Sequence, residues 1–174
     1  GQEFRTAAKR VVDALLKALP GDGGLGSMWD FKTGGLLAQS GDCGGFVLMG
    51  LVRYWQMTHD AEVRRVVDAA FDYYFSRDID RFECNGGAMD CSSVDREGIH
   101  PFVTAAVVMF EGTKDRWYVS LAERAGWYWL SWLYLQNPVY GPETDFCQYG
   151  FRPCGERALP RKPASPRPES DSVP

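Results

Sequence analysis

The sequence predicts an all-α fold of repeated antiparallel helical hairpins with long loops at one end. An internal repeat recurs at an offset of 55 positions, since Thr58-His59-Asp60 falls on Thr113-Lys114-Asp115. In each copy a nearly all-apolar helix is followed by an amphipathic one. The connections alternate between very short and very long, which places the long ones at the same end.

The composition is that of one globular domain. Its 174 residues are 45% hydrophobic and 14% aromatic, which is enough apolar material for a single core. The net charge is −4 and no basic stripe is present, so we expect no nucleic-acid partner. No run of about 18 apolar residues occurs, so we expect no membrane span either. No signal-peptide pattern is visible at the start, and the cellular location stays open.

The first predicted element is an amphipathic helix over residues 4–19. Its apolar side chains recur at helical spacing on one face, as Ala7, Val11, Val12, Leu15 and Leu16. It resembles an outer helix of a hairpin whose inner helix is missing.

The repeat covers residues 45–76 and 101–131. The first helix of each copy is apolar all round and should be buried, as Val103, Ala105, Ala106, Val107, Val108, Met109 and Phe110 illustrate. The second helix has one apolar face and should lie in an outer layer. Asp60 and Asp115 directly precede the second helices and are predicted to be their N-caps.

Long loops are predicted over residues 20–43, over residues 77–100 and from 136 onward. Such loops on a rigid helical scaffold often carry binding or catalysis. The alternative is that they only plug the end of the array. No cofactor is expected, because Gly23-Gly24-Leu25-Gly26 lacks the Lys-Ser/Thr and the preceding strand of a phosphate loop.

Five cysteines leave three possibilities open. Cys84 with Cys91 and Cys147 with Cys154 have the same spacing, which suits local disulfides, although unpaired or buried thiols are favoured over them. A metal site is the weakest possibility, because the tight two-residue spacing of zinc ligands is absent. Cys43 has no partner in either case.

Several segments in and around the second copy of the repeat carry a resemblance to a known family. They are Val94-Asp95-Arg96-Glu97-Gly98, the inner helix that follows, Gly112-Thr113-Lys114-Asp115-Arg116-Trp117, and Trp127-Tyr128-Trp129-Leu130-Ser131-Trp132. Over roughly residues 4–148 the chain resembles the six-hairpin glycosidase-like superfamily, which includes glucoamylase-like, endoglucanase-like and unsaturated glucuronyl hydrolase-like enzymes. The resemblance implies part of an α/α toroid, a saccharide or glycan partner, and hydrolysis of glycosidic bonds.

The chain is predicted to hold only part of such a toroid. At about 55 residues a hairpin, six hairpins need roughly 330 residues. Residues 1–154 are assigned to the helical domain, and the Pro-rich residues 155–174 are predicted to be disordered. The exposed inner surface would then be covered by a homo-oligomer or by a missing chain segment.

Glycoside hydrolysis needs two carboxylates on either side of the scissile bond. Asp95 and Glu97 stand just before one inner helix, and Asp42 occupies the matching place before the other. These three are the predicted catalytic residues. The alternative is that they cap the helix starts.

Six further residues of the loops are predicted to bind substrate. Trp29, Phe31 and Tyr140 offer rings on which a sugar can stack, and Asp30, His100 and Asp145 offer polar contacts. Loop packing and turn formation explain the same residues.

Two other functions stay open. A non-catalytic helical-repeat binding module would use the same loops as an interaction surface. A toroidal terpene-cyclase-like protein is suggested by Asp22-Gly23-Gly24 and the aromatic content, although an aspartate-rich cation motif is lacking. Fold alone does not decide between these functions.

Overall fold

The computed structural model of the chain describes residues 1–39, 41–86, 94–133, 139–150 and 152. The chain divides into two compact units, Gly1–Ser131 and Trp132–Pro174. It is predominantly helical, as predicted. The predicted tail, residues 155–174, lies outside the described residues.

Helix α1 spans Gln2–Ala18 and confirms the predicted first element. Its polar face carries Lys9 and Asp13, which form an exposed i,i+4 ion pair. Val12 is buried, but Phe4 and Val11 remain 79% and 59% exposed. Much of the apolar face of α1 is therefore open to solvent.

A small antiparallel sheet follows α1, in a loop for which no strand was predicted. Strand β1, Met28–Trp29, pairs with β2, Leu36–Ala38. The turn between them is closed by Asp30, whose Oδ1 accepts the backbone amides of Lys32 and Thr33 at 3.0 and 2.7 Å. The strict all-α prediction is corrected at this place.

Two pairs of consecutive helices form the body of the first unit. Helix α2 spans Gly44–Thr58 and α3 spans Ala61–Arg77. Helix α4 spans His100–Thr113 and α5 spans Arg116–Ser131. The helices of each pair pack against each other.

The turns that join the two pairs have the same local geometry. His59 and Lys114 end α2 and α4 in the left-handed region, with φ of 53° and 60°. In each turn a threonine hydroxyl bonds back to the helix, and the side chain of Asp60 or Asp115 accepts an amide of the next helix. Both predicted N-caps are thereby confirmed.

Helices α2 and α4 lie side by side and run in the same direction. At their N-terminal ends, a Cβ on Gly45 would lie 2.8 Å from the ring of Phe102. At their C-terminal ends, a Cβ on Gly112 would lie 2.9 Å from the ring of Trp55. Because the N-terminal ends of α2 and α4 are neighbours, the loops that lead into these two helices meet at the same end of the unit.

Aromatic side chains fill the space between the helices. Tyr74 and Phe75 of α3 pack on Phe102 of α4, and Phe71 meets Tyr118 of α5 with ring centroids 5.6 Å apart. All five side chains are at most 2% exposed. Their burial provides a large share of the apolar stabilisation of the unit.

Among the described residues of the first unit, 3₁₀ turns lie at Ile79–Arg81 after α3 and at Glu97–Ile99 before α4. The second unit contains the short helix α6, Asp145–Gln148, which begins after a Thr144 cap. None of the described helices is long and apolar enough to cross a membrane.

Candidate functional site

The loops before α2 and α4 meet on one short backbone segment, residues 84–86. The amide of Asn85 donates to Asp42 Oδ2 at 2.6 Å, and the amide of Gly86 donates to Asp95 Oδ2 at 3.0 Å. Two of the predicted catalytic carboxylates thus bind neighbouring amides. We call residues 84–86 the bridging segment.

Asp42 is bound to the bridging segment in both directions. Its own amide donates to the carbonyl of Asn85 at 2.6 Å, while its side chain accepts from the amide of the same residue. The residue is 1% exposed. Such burial favours a carboxyl group that is neutral or closely paired with other polar groups.

Arg77 and Asp78, at the end of α3, supply the charges around Asp42. The Arg77 guanidinium contacts the Asp78 carboxylate, and its Nη2 lies 3.6 Å from Asp42 Oδ1. Burial raises the pKa of Asp42 to about 7, and the neighbouring Asp78 adds to this. The Asn85 amide and Arg77 act in the opposite direction, but burial prevails.

Asp95 uses both carboxylate oxygens on backbone amides. Oδ2 accepts from Gly86, and Oδ1 accepts from Gly98 at 2.8 Å. Its own amide donates to the carbonyl of Cys84 at 2.9 Å. Asp95 therefore joins the bridging segment to the turn that starts α4.

Glycine is required where the bridging segment meets that turn. A Cβ on Gly86 would lie 2.6 Å from the Cα of Gly98, and a Cβ on Gly98 would lie 3.0 Å from the Cα of Gly86. These contacts are with backbone, which cannot rotate away as a side chain can. The close approach also places each glycine amide within reach of Asp95.

Two buried tyrosines support the cluster from α3 and α5. The Tyr128 hydroxyl of α5 donates to the carbonyls of Cys84 and Asp95, at 3.3 and 3.2 Å. The Tyr74 hydroxyl of α3 accepts the amide of Leu25 at 3.0 Å. The cluster is thus fixed to both helix pairs and to the first long loop.

The thiols near Asp42 are not paired. Cys43 and Cys84 are free, and the Cys43 thiol donates to the carbonyl of Gly86 at 2.8 Å. Burial raises the pKa of both thiols, and the charges of Asp42 and Asp95 add to the effect. Neither thiol is therefore activated as a nucleophile. Cys91 and Cys154 lie outside the described residues.

Glu97 and His100 are two exposed polar residues at this end. Glu97 begins the 3₁₀ turn after Asp95, and His100 begins α4. Both are exposed, whereas Arg96 between the two acidic residues is 8% exposed. On α2, Phe46 is 50% exposed at the corresponding end. These three side chains are available to a ligand.

A comparison with protein-family models, curated proteins and solved structures found no match.

The predicted binding residues Trp29, Asp30 and Phe31 lie in the small sheet and its turn. Trp29 is half-buried in β1, and Phe31 is 91% exposed. Asp30 closes the turn, and hydrogen bonds from Thr33 lower its pKa. Phe31 is the most exposed of the three, and Lys32 Nζ lies over its ring, 5.8 Å from the centroid.

The remaining predicted binding residues belong to the second unit. Tyr140 stacks on Phe146 with ring centroids 5.0 Å apart and planes at 29°. Asp145 is exposed and begins α6. Tyr140 and Phe146 thus form a local aromatic pair within the second unit.

The described residues contain no metal-binding group, and a groove lies away from Asp42. Among the described residues, no three His, Cys, Asp or Glu side chains are grouped so that they could hold a metal ion. One groove of about 270 Å³ lies between α1 and the C-terminal part of α2, where Tyr54 and Met57 line it. That is the opposite end of α2 from Asp42.

Sequence reasoning missed the residues that surround Asp42. Arg77, Asp78 and Asn85 were not predicted as site residues, and neither were Tyr74 and Tyr128. Adjacent opposite charges at the end of a helix, just before a long loop, were the available signal for Arg77 and Asp78.

Proposed function

We propose that this chain is a carbohydrate-active protein of the six-hairpin glycosidase-like type, and that the saccharide binds at the end that carries Glu97 and His100. The observation that carries the proposal is the convergence of Asp42 and Asp95 on the bridging segment. This convergence fixes the start of α4 and presents Glu97 beside it.

We infer further that α2–α3 and α4–α5 are two repeats of one hairpin in an incomplete α/α toroid. The parallel course of α2 and α4 supports an inner layer, and the shared turn geometry at His59 and Lys114 supports a repeat. A toroid places the starts of all inner helices at one mouth, so additional hairpins would enlarge this end. They would come from another chain copy or from a further chain segment.

We assign the predicted catalytic residues different roles. Glu97 is exposed and free to reach a glycosidic oxygen, so we assign it the general-acid role. Asp95 follows as the second carboxylate, held rigidly by two amides. Asp42 is 1% exposed, so we assign it a positioning role. His100 and Phe46 then contact the sugar.

A non-catalytic binding module is the second candidate. It is favoured by the use of both Asp95 oxygens in backbone hydrogen bonds, because these oxygens are already engaged within the protein. In that case Glu97, His100 and Phe46 bind a saccharide without cleaving it.

The test compares Glu97→Gln with Glu62→Gln. Glu62 is a matched control, because it is also an exposed glutamate in the first turn of a helix. It lies in α3, close to the C-terminal end of α2 and thus far from Asp42. The purified chain is assayed for hydrolysis of a panel of aryl glycosides and for thermal stabilisation by oligosaccharides. Hydrolysis that falls at least 100-fold only in Glu97→Gln supports catalysis.

Other outcomes decide between the candidates. Saccharide binding that Glu97→Gln weakens, with no hydrolysis by any variant, supports the binding module. Absence of both binding and hydrolysis across the panel contradicts both candidates.

A further inference from the structure

Asp42 is a buried carboxyl group with one oxygen that accepts no hydrogen bond from the described residues. Its Oδ2 accepts from Asn85, but Oδ1 has no hydrogen-bond partner among the groups described, and Arg77 Nη2 stands 3.6 Å away. A buried carboxylate oxygen without a partner is costly. A proton on the carboxyl group would remove the charge and supply a donor.

Ionisable groups face Asp42 from each element packed against it. Helix α3 contributes Tyr74 and Arg77, and Asp78 follows at its end, where its charge acts on Asp42. The bridging segment contributes Cys84, and Cys43 precedes α2. Arg77 is the sole cation of this set. It bonds Asp78, the hydroxyl of Tyr73 and the carbonyl of Gly41.

We propose that Asp42 holds a proton beside Arg77 and Asp78, and that loss of this proton releases the bridging segment from the start of α2. With both carboxylates ionised, the group of two anions and one cation would carry a net charge of −1 in a place where Asp42 is 1% exposed. A proton on Asp42 makes the group neutral.

The proton leaves in the neutral pH range. Burial raises the pKa of Asp42 to about 7, and Asp78 contributes to the rise. Once ionised, the Asp42 carboxylate is more stable when it turns toward water, because it is then hydrated and lies farther from the negative charge of Asp78. The amide of Asn85 loses its acceptor in that movement.

The released segment is the one that also holds Asp95. Since Gly86 donates to Asp95 and packs on Gly98, loosening residues 84–86 loosens the turn that begins α4. The protonation of Asp42 beside Arg77 and Asp78 thus controls how rigidly the bridging segment and the start of α4 are held. This inference does not require the protein to act on a saccharide.

The experiment measures amide hydrogen exchange of Asn85 in the full chain by NMR from pH 5 to pH 9. Protection factors are used, so that the intrinsic pH dependence of exchange is removed. We expect a drop of at least tenfold with a midpoint near pH 7. Asp42→Asn should remain protected across the range, because the asparagine oxygen accepts from Asn85 and its NH₂ group donates to Asp78.

A second variant keeps the test decisive if Asp42→Asn does not fold. Asp78→Asn removes the like charge and offers Asp42 a donor, so the midpoint should move to lower pH by at least one unit. Asp60→Asn is the control, since Asp60 caps α3 at the other end and should leave the midpoint unchanged. A protection factor that does not change with pH, or a midpoint equal in wild type and Asp78→Asn, overturns the inference.

Discussion

Replacing Gly44 by alanine should destabilise the first unit strongly, because α2 begins directly against Tyr74. A Cβ at Gly44 would overlap the hydroxyl oxygen of Tyr74 and lie 2.8 Å from its Cζ. Tyr74 has no exposed surface, and its hydroxyl accepts the amide of Leu25 at 3.0 Å. The ring cannot move without breaking this hydrogen bond.

The expected loss is about 2–4 kcal/mol. Overpacking a filled core costs about 1–3 kcal/mol. Leaving the buried Leu25 amide without an acceptor costs a further ~1–3 kcal/mol, and relaxation of α2 offsets part of the sum. For a chain of this size the loss corresponds to a fall in Tm of about 10 °C.

Thermal and urea unfolding of a double-mutant cycle measures the effect. In the Tyr74→Phe background the hydroxyl is gone, so Gly44→Ala should cost at least ~1 kcal/mol less than in wild type. Gly50→Ala is the matched control, because Gly50 lies in the same helix and has no described atom within 4 Å of the new methyl group. It should be neutral or stabilising by up to ~1 kcal/mol. Equal effects of Gly44→Ala and Gly50→Ala, or strict additivity with Tyr74→Phe, would refute this account of the helix start.

Three further predictions concern other parts of the chain. Because the pKa of Asp42 is raised from 3.8 to about 7, the unfolded chain releases a proton that the folded chain keeps, so stability should fall as pH rises from about 4 to 7 and then level off. The decline is at most ~4 kcal/mol, and urea unfolding of Asp42→Asn across this range should lack it. Asp60→Ala should remove the α3 cap and cost about 1 kcal/mol in urea unfolding, whereas Asp60→Asn should cost much less. Phe31→Ser should change stability by less than ~0.5 kcal/mol, because Phe31 is 91% exposed. If Phe31 stacks on a sugar, the same variant should weaken saccharide binding in isothermal titration calorimetry, and unchanged affinity would remove it from the site.

The parts of the fold that depend on local patterns were predictable. Thr58-His59-Asp60 and Thr113-Lys114-Asp115 specify a helix end, a turn and a cap within three residues, and the structure has all three features at both places. Helical spacing of apolar residues was sufficient for α1 in the same way. Such features need no knowledge of distant contacts.

The site was only partly predictable for a related reason. That Asp42 and Asp95 lie at one end followed from their places before two successive apolar helices. Both residues contact residues 84–86. The hydrogen bond between Asp42 and Asn85 joins residues more than 40 positions apart, and no local sequence pattern encodes such a contact. Arg77 and Asp78 looked like solvated charges at a helix end, because their partner Asp42 is distant in sequence.

The small sheet was missed because its strands are too short to show an alternating pattern. Strand β1 has two residues and β2 has three. The turn between them depends on Asp30, whose role as an acceptor for two amides resembles that of many loop aspartates.

The parallel course of α2 and α4 has an electrostatic consequence. Each helix carries roughly half a positive charge at its N-terminus, and in an antiparallel pair such ends lie apart. Here the two N-terminal ends are neighbours, so their macrodipole fields add at the same place. Asp42 and Asp95 bring negative charge to it. An anionic group of a ligand would be attracted to this end most strongly when Asp42 is protonated, so acidic pH should favour its binding.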